Sequence, residues 1–429
     1  MSATPDAAPA QPLPSIHRLQ PHLYYGWFVV AAGFALSFVS VGIGFYGQTV
    51  FLDGLIRENG WSKASVSGAS TVYFITTGLA GIGVGRIVDR FGARLPILVG
   101  AFAMITALLW LGTIETPSEL YLVYLLFAAS FAMTSAIPQS SLMNRWFVRE
   151  RARAMSLAQT GVSVGGLILV PIATTLIATS GMRTATAWLA LLVVTVVVPL
   201  TLFVVREGPE AFGLRPDGDA LGAPLPEEPA DAAPGWTGRT AIRTPTFQLL
   251  ALSFGAILIC QTGLAVHHLH LLRDHLGTSA AAFGAATIPV GSIIGRLAVG
   301  RIADRIDKRR VTAALFVTQA ASLAGLGLST HATPLLLASI LFGLTIGSVF
   351  MMQSLLVADL FGLASFGTVL GLLNSLTSIG GGIGPLLVGI VAERFGGYPS
   401  AIWVLFASGL TAASLVLFVP RPDGRRGLG

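Results

Sequence analysis

Of the 429 residues, 53% are hydrophobic and 11% charged, and the mean hydropathy is +0.76. A soluble globular chain carries about 25% charged residues, so water is not the main solvent of this one. The single cysteine, Cys260, lies in an apolar run and leaves neither a disulfide framework nor a thiolate metal site.

Residues 1–23 are rich in Pro and Ala and lack the basic start, short apolar stretch and cleavage site of a secretory signal. They read as a retained, disordered cytosolic tail. Twelve apolar runs follow, each long enough to cross a hydrocarbon core of about 30 Å as a helix. Spans 1 to 6 cover 24–52, 64–88, 94–113, 119–143, 152–178 and 184–205; spans 7 to 12 cover 246–272, 278–301, 311–329, 333–360, 367–391 and 399–419. Residues 206–245, rich in Pro, Ala, Gly and acids, cannot bury a core and read as a cytosolic linker. Residues 420–429 form a short tail. The domain reading is therefore a six-helix bundle over 24–205 and a second over 246–419.

A net charge of +6 fits nucleic acid or the basic loops that orient a membrane protein, and the positions of the charges decide. With the N-terminus in the cytosol, Arg57, Lys63, Arg183, Arg273 and Arg394 fall outside and Arg296 falls within a span. All other lysines and arginines are cytosolic. The positive-inside rule thus places both termini in the cytosol of a multi-pass inner-membrane protein. The bilayer, and not nucleic acid, is the partner.

The two halves repeat. Gly85-Arg86-Ile87-Val88-Asp89-Arg90 after span 2 returns as Gly300-Arg301-Ile302-Ala303-Asp304-Arg305 after span 8, and the same offset carries Gly165-Gly166 to Gly380-Gly381. An offset one residue longer carries Leu55-Ile56-Arg57-Glu58 to Leu271-Leu272-Arg273-Asp274 and Gly68 to Gly284. Patches repeated in one order and one sense indicate two parallel bundles.

Gly85-x-x-x-Asp89-Arg90-x-Gly92-x-Arg94 resembles the signature of the major facilitator superfamily, and the second half carries its degenerate copy. The resemblance implies an all-α membrane fold of twelve helices in two pseudo-symmetric bundles. A narrower resemblance is to the bacterial branch of the monocarboxylate transporters, relatives of the oxalate and formate exchanger. It rests on Tyr25-Gly26-Trp27, Tyr46-Gly47, Gly60-Trp61-Ser62, Arg145-Trp146-Phe147, Pro209 to Pro216, and Phe395-Gly396-Gly397-Tyr398. The implied function is alternating-access transport of a small monocarboxylate with proton symport, by a carrier that works as a monomer.

Arg296 is the leading substrate-binding candidate. An intramembrane guanidinium costs about 2.5–3.5 kcal/mol on insertion scales and calls for an anion, which its planar fork grips bidentately. The bland alternative is that Arg296 snorkels to the cytosolic surface or braces a neighbouring helix, since Arg301 stands five residues, about 7.5 Å, further along a helix. The repeat weighs against it: Arg301 matches Arg86, whereas Arg296 matches Gly81. In the resembling family a span 8 arginine is followed four residues later by glycine, as Gly300 follows Arg296. The animal members place an acid four residues before that arginine and look to use it as proton carrier; here the position is Ser292, which puts the proton's route in doubt. The lysine of their first span corresponds to Tyr46, whose phenol either donates to a carboxylate or packs near the outer interface.

Span 7 carries His267, His268 and His270 in a chain of seven histidines. With Gln261 and His275 seven residues either side, His268 lies on a face that either binds substrate and titrates or lines the outer mouth. No carboxylate or cysteine stands at ligand spacing, so no metal is expected. Ser135, Gln139, Gln353 and Asn374 are further pore-facing candidates that alternatively bridge helices. Asp89, Arg90, Arg94, Asp304 and Arg305, with Gly85 and Gly300, read as a cytosolic gate: the resemblance implies a charge network that holds the outward-open state shut on the cytosolic side. The glycines of spans 2 and 11 (Gly78, Gly81, Gly83, Gly85; Gly380, Gly381, Gly382, Gly384) read as permitting close helix approach. No phosphate-binding loop or soluble nucleotide domain appears, and no cofactor or catalytic pair is implied. Two rivals stay open: an oxalate-type exchanger, which needs a second pocket cation that is missing, and proton-coupled efflux of hydrophobic compounds, which needs a buried acid.

Overall fold

The computed structural model describes residues 23–61, 63–219, 236–395 and 397–420. The N-terminal tail, the centre of the linker and the C-terminal tail therefore lie outside the described residues. All regular structure in the described residues is helical, because inside a bilayer the chain must satisfy its backbone groups within each segment.

The first half contains α1 (Gly26–Val41), a π-helical turn (Gly42–Tyr46), α2 (Gly47–Asn59), α3 (Lys63–Phe91), α4 (Arg94–Leu111), α5 (Pro117–Thr134), α6 (Ala136–Trp146) and α7 (Arg151–Leu192), the last extended by π turns to Val204. The second half contains a short α8 (Gly238–Ala241), then α9 (Pro245–Leu276), α10 (Thr278–Ile302), α11 (Lys308–Leu328), α12 (Ala332–Phe361), α13 (Phe366–Arg394) and α14 (Tyr398–Phe418). Twelve membrane crossings result among the described residues. The first runs continuously through α1, the π turn and α2, and the fourth through α5 and α6.

Local chemistry sets the ends and breaks. α5 opens on a capping box, with Thr116 Oγ1 accepting from Glu119 N and Pro117 at the first position. α2 ends at Gly60, whose φ of 67° suits glycine. α7 is two crossings, reversed at Gly181 (φ 76°, ψ 167°), a conformation open in practice to glycine alone. There Glu58 Oε1 accepts from Met182 N at 2.8 Å and fastens the new helix start to the end of α2.

Two cores form, one around Tyr25, Phe51, Phe127 and Trp146, the other around Phe247, Phe254, Phe316 and Phe342. Large apolar side chains such as Phe102, Leu109, Trp188 and Phe418 stand exposed on the outside, as a hydrocarbon surround permits. The ends of the segment read as linker are ordered. Phe212 is buried against Tyr25 and Trp146, Glu207 accepts from Ala93 N and Arg94 N at the start of α4, and Asp217 accepts from Val148 N and Arg149 N before α7. Composition hid this because a few aromatic and acidic anchors suffice to dock a short strap.

The bundles meet along two seams, α3 with α13 and α7 with α10. Hydrogen bonds and an ion pair join the bundles in the half nearer the linker, here called the linker half. The molecule is thus shut on its linker face. Of the glycines expected to bring helices together, Gly85 does so most tightly: an added Cβ would lie 2.1 Å from the Gly367 carbonyl oxygen. Gly380 and Gly384 pack on α9 within their own bundle, whereas Gly78, Gly83 and Gly382 face open space.

Candidate functional site

Arg296 sits on α10 in the seam with α7 and is 4% exposed, so it does not snorkel. Its Nε donates to Gly347 O on α12 at 2.8 Å, and its Nη1 donates to Gln159 O on α7, in the other bundle. No carboxylate pairs with it among the described residues. Of the five N–H groups of a guanidinium, these two bonds employ two. One turn earlier on α10, Ser292 Oγ lies 3.0 Å from Ser163 Oγ of α7. Gly347 makes the approach possible, since a Cβ there would fall 2.4 Å from Ser292 Oγ and 3.0 Å from Arg296 Nη2.

Tyr46 closes the π turn of the first crossing and interacts electrostatically with Arg296. The turn exists because Gly42 packs on the Gly165 backbone and Tyr73 Oη donates to Gly44 O at 2.5 Å, satisfying a carbonyl that wider winding displaces. Of the sequence candidates, Tyr46 is the one brought to the arginine.

The others have separate partners. His268 is buried inside the second bundle with Nε2 2.8 Å from Ser339 Oγ of α12. His267 faces Tyr398 Oη at 3.4 Å and Pro385 O at 3.3 Å. The His270 side chain lies outside the described residues. Ser135 stands at the break between α5 and α6, half-buried. Pro138 causes that break, since it has no N–H for the Thr134 carbonyl. Gln139 Nε2 takes the vacancy at 2.8 Å while its Oε1 accepts from Ser37 Oγ of α1 at 2.5 Å. Gln139 therefore braces the first bundle. The Asn374 side chain is half-buried and makes no hydrogen bond among the described residues; Gln353 is fully buried with both amide atoms unpartnered there.

The motif aspartates cap helices across the seams. Asp89 accepts from Gly367 N, Thr368 N and Thr368 Oγ1 (2.6–2.8 Å) at the start of α13, and Asp304 accepts from Ala152 N and Arg153 N (2.7 and 3.1 Å) at the start of α7. Each carboxylate meets orphan amides and the positive end of a helix. Burial pushes the Asp304 carboxyl above its ordinary range, and the two amide bonds, Lys308 and Arg151 pull it back. The neighbouring arginines work elsewhere. Arg94 donates to Thr201 O and Leu202 O in its own bundle, Arg90 lies over the Phe91 ring at 5.1 Å, and Arg305 is exposed. Arg151 and Asp359 form an ion pair between the bundles at 3.6 Å, and Lys308 joins the same carboxylate at 2.6 Å.

Sequence reasoning missed Ser163, the Gln159 and Gly347 carbonyls, and the π turn. A main-chain carbonyl carries no residue signature, but the doublet Gly42-x-Gly44 beside Tyr46 is a legible sign of irregular winding.

Twelve crossings in two repeated bundles, joined on one face around a guanidinium that has no carboxylate partner among the described residues, define a two-bundle membrane carrier. The model of the Major Facilitator Superfamily matches residues 34–374 and, in a second placement, 264–428. The chain belongs to the Major Facilitator Superfamily and is a transporter of that superfamily, not an enzyme. Mouse monocarboxylate transporter 11 is 28% identical over 415 residues, covering 92% of this chain and 88% of its own. The oxalate:formate antiporter of Oxalobacter formigenes is 25% identical over 180 residues, 42% of each chain. The proton:xylose symporter XylE, solved with 6-bromo-6-deoxy-D-glucose, superposes with a TM-score of 0.77 over 92% of this chain and 96% of that one at 13% identity. That likeness is one of fold alone.

Proposed function

We propose that this transporter moves a small monocarboxylate, of lactate or pyruvate size, across the inner membrane together with a proton, as a monomer. The observation that carries the reading is Arg296: buried, without an acid partner among the described residues, and placed where the bundles meet. A buried cation asks for an anion, and a carboxylate supplies both charge and two acceptors. Tyr46 offers a phenolic donor to the same ligand. The full-length likeness to monocarboxylate transporter 11 supports the substrate class.

The excess of Lys and Arg in the loops on the linker face supports placing that face, and both termini, in the cytosol. The conformation is then outward-facing, with Asp89, Asp304 and the Arg151–Asp359 pair as the cytosolic seal. A carboxylate entering with a proton is electroneutral, so the membrane potential does not oppose accumulation.

An exchanger of the oxalate:formate kind is the second reading, supported by the partial likeness to that antiporter. A dicarboxylate needs a second cation, and of the two lysines Lys308 is held by Asp359 and Lys63 lies at the opposite end of the molecule. The test is uptake of labelled pyruvate and lactate into proteoliposomes with an inside-alkaline gradient, comparing wild type with Arg296→Gln. Gradient-driven uptake by the wild type alone is the expected result. Equal uptake by both proteins removes Arg296 as anchor, robust oxalate exchange selects the second reading, and no uptake of any acid directs attention to efflux.

A further inference from the structure

We infer that Arg296 is also a latch: in the empty carrier its guanidinium ties the two bundles together, and a bound carboxylate releases the tie. The inference rests on the reading of Arg296 as the anion site.

The two seams are built alike and differ at one level. In the α3–α13 seam the helices meet backbone to backbone, with Gly371 against the Gly81 carbonyl, and Ser375 Oγ donates to Gly78 O at 2.5 Å. In the α7–α10 seam the equivalent level holds the Ser163–Ser292 hydroxyl pair and the Arg296 Nη1 bond to Gln159 O. Where one seam relies on glycine contact, the other relies on a charged side chain reaching across. These bonds lie at the edge of the linker half, further from the linker than the Asp89 and Asp304 caps. A bond at the edge of a closed seam is the one that opening from the centre breaks first.

A planar guanidinium has a single orientation at a time. A carboxylate gripped through Nη1 and Nη2 competes with the Gln159 carbonyl for the orientation of the guanidinium, and the neutral carbonyl is the weaker of the two acceptors. Occupancy of the site therefore weakens the bond that keeps the linker face shut. Binding energy is thereby converted into a shift between the two conformations, the differential interaction that any ligand-driven change requires. The Ser163–Ser292 pair holds the helices in register meanwhile and keeps the empty carrier from opening on its own.

The experiment places spin labels at two exposed linker-face positions, Ala211→Cys and Ala364→Cys, in a Cys260→Ser background, and reads the distance distribution in lipid with and without pyruvate. The wild type is expected to show mainly the short distance when empty and a longer population with pyruvate. Arg296→Met, which keeps an unbranched stem and removes every donor, is expected to raise the long-to-short ratio of the empty protein about tenfold, the scale of one charge-assisted hydrogen bond. Pyruvate then has no further effect. Ser163→Ala should raise the empty-state ratio by a smaller factor and keep the response to pyruvate. An empty Arg296→Met protein with the wild-type distribution overturns the latch, even where pyruvate binding is lost. If the empty distribution shifts and pyruvate still binds, the tie between the bundles stands, but its release by a carboxylate on Arg296 falls together with the anion-site reading.

Discussion

Asp307 and Asp304 stand three residues apart on the linker face, and their surroundings push their carboxyls in opposite directions. Asp307 caps α11, accepting from Arg309 N at 2.9 Å and pairing with its guanidinium at 2.8 Å, and the Arg309 hydrogen bond holds it below the ordinary carboxylate range. Its contribution is present above the unfolded value near pH 3.9 and is lost as pH falls through the lower folded value. Asp307→Asn keeps a capping acceptor and removes the charge, so it should cost about 0.3–1 kcal/mol near neutrality, the scale of a carboxylate at a helix start, and the gap from wild type in melting midpoint should narrow towards pH 3. A gap that does not change with pH would mean that the cap works through shape and not through charge. At this scale the sequence was informative where a residue broke a rule. A lone arginine in an apolar span announces itself, whereas its main-chain partners Gln159 and Gly347 do not. The density of histidines in span 7 was visible, but not that His268 turns into its own bundle towards Ser339.

Among the elements, hydropathy placed every crossing, and most ends fall within a few residues of the capped ones because charge and caps both mark the edge of the bilayer. The interruptions were not legible. Pro138 reads as a tolerated proline inside a long apolar run, yet it separates α5 from α6 and commits Gln139 to the Thr134 carbonyl. Pro138→Ala supplies the missing N–H, so the helix is expected to run straight through Ser135. The melting midpoint should then rise and uptake fall about tenfold or more, since Ser37 and Gln139 lose their registration. Paired melting and uptake curves check this. Wild-type uptake in a stabilised variant would show that the break has no part in transport.

For the whole molecule, closure of the linker face depends on backbone contact at Gly85. Gly85→Ala leaves each bundle intact but puts a Cβ 2.1 Å from the Gly367 oxygen, which packed helices cannot absorb. The variant should express and melt normally, hold the linker face apart in the label-distance measurement, and lose about tenfold or more of uptake. Gly83→Ala is the control: nothing lies within 4 Å, and replacing a mid-helix glycine by alanine should add about 0.5–1 kcal/mol of stability with transport unchanged. Unchanged transport in both variants would separate the seam from the transport cycle. Two bundles were readable from the repeat, but which face is shut was not, because conformation is a relation between the halves that neither half encodes alone.

The crossed aspartates carry an implication for ancestry. Asp89 of the first half caps α13 of the second, and Asp304 of the second caps α7 of the first, so each half holds both a key and a lock. A six-helix chain with one such aspartate and one such helix start would need no partner but itself: two copies about a twofold axis would form both clasps at once. Fusing the copies would preserve that reciprocity and free the two halves to diverge, and Gly81 against Arg296 marks where they did.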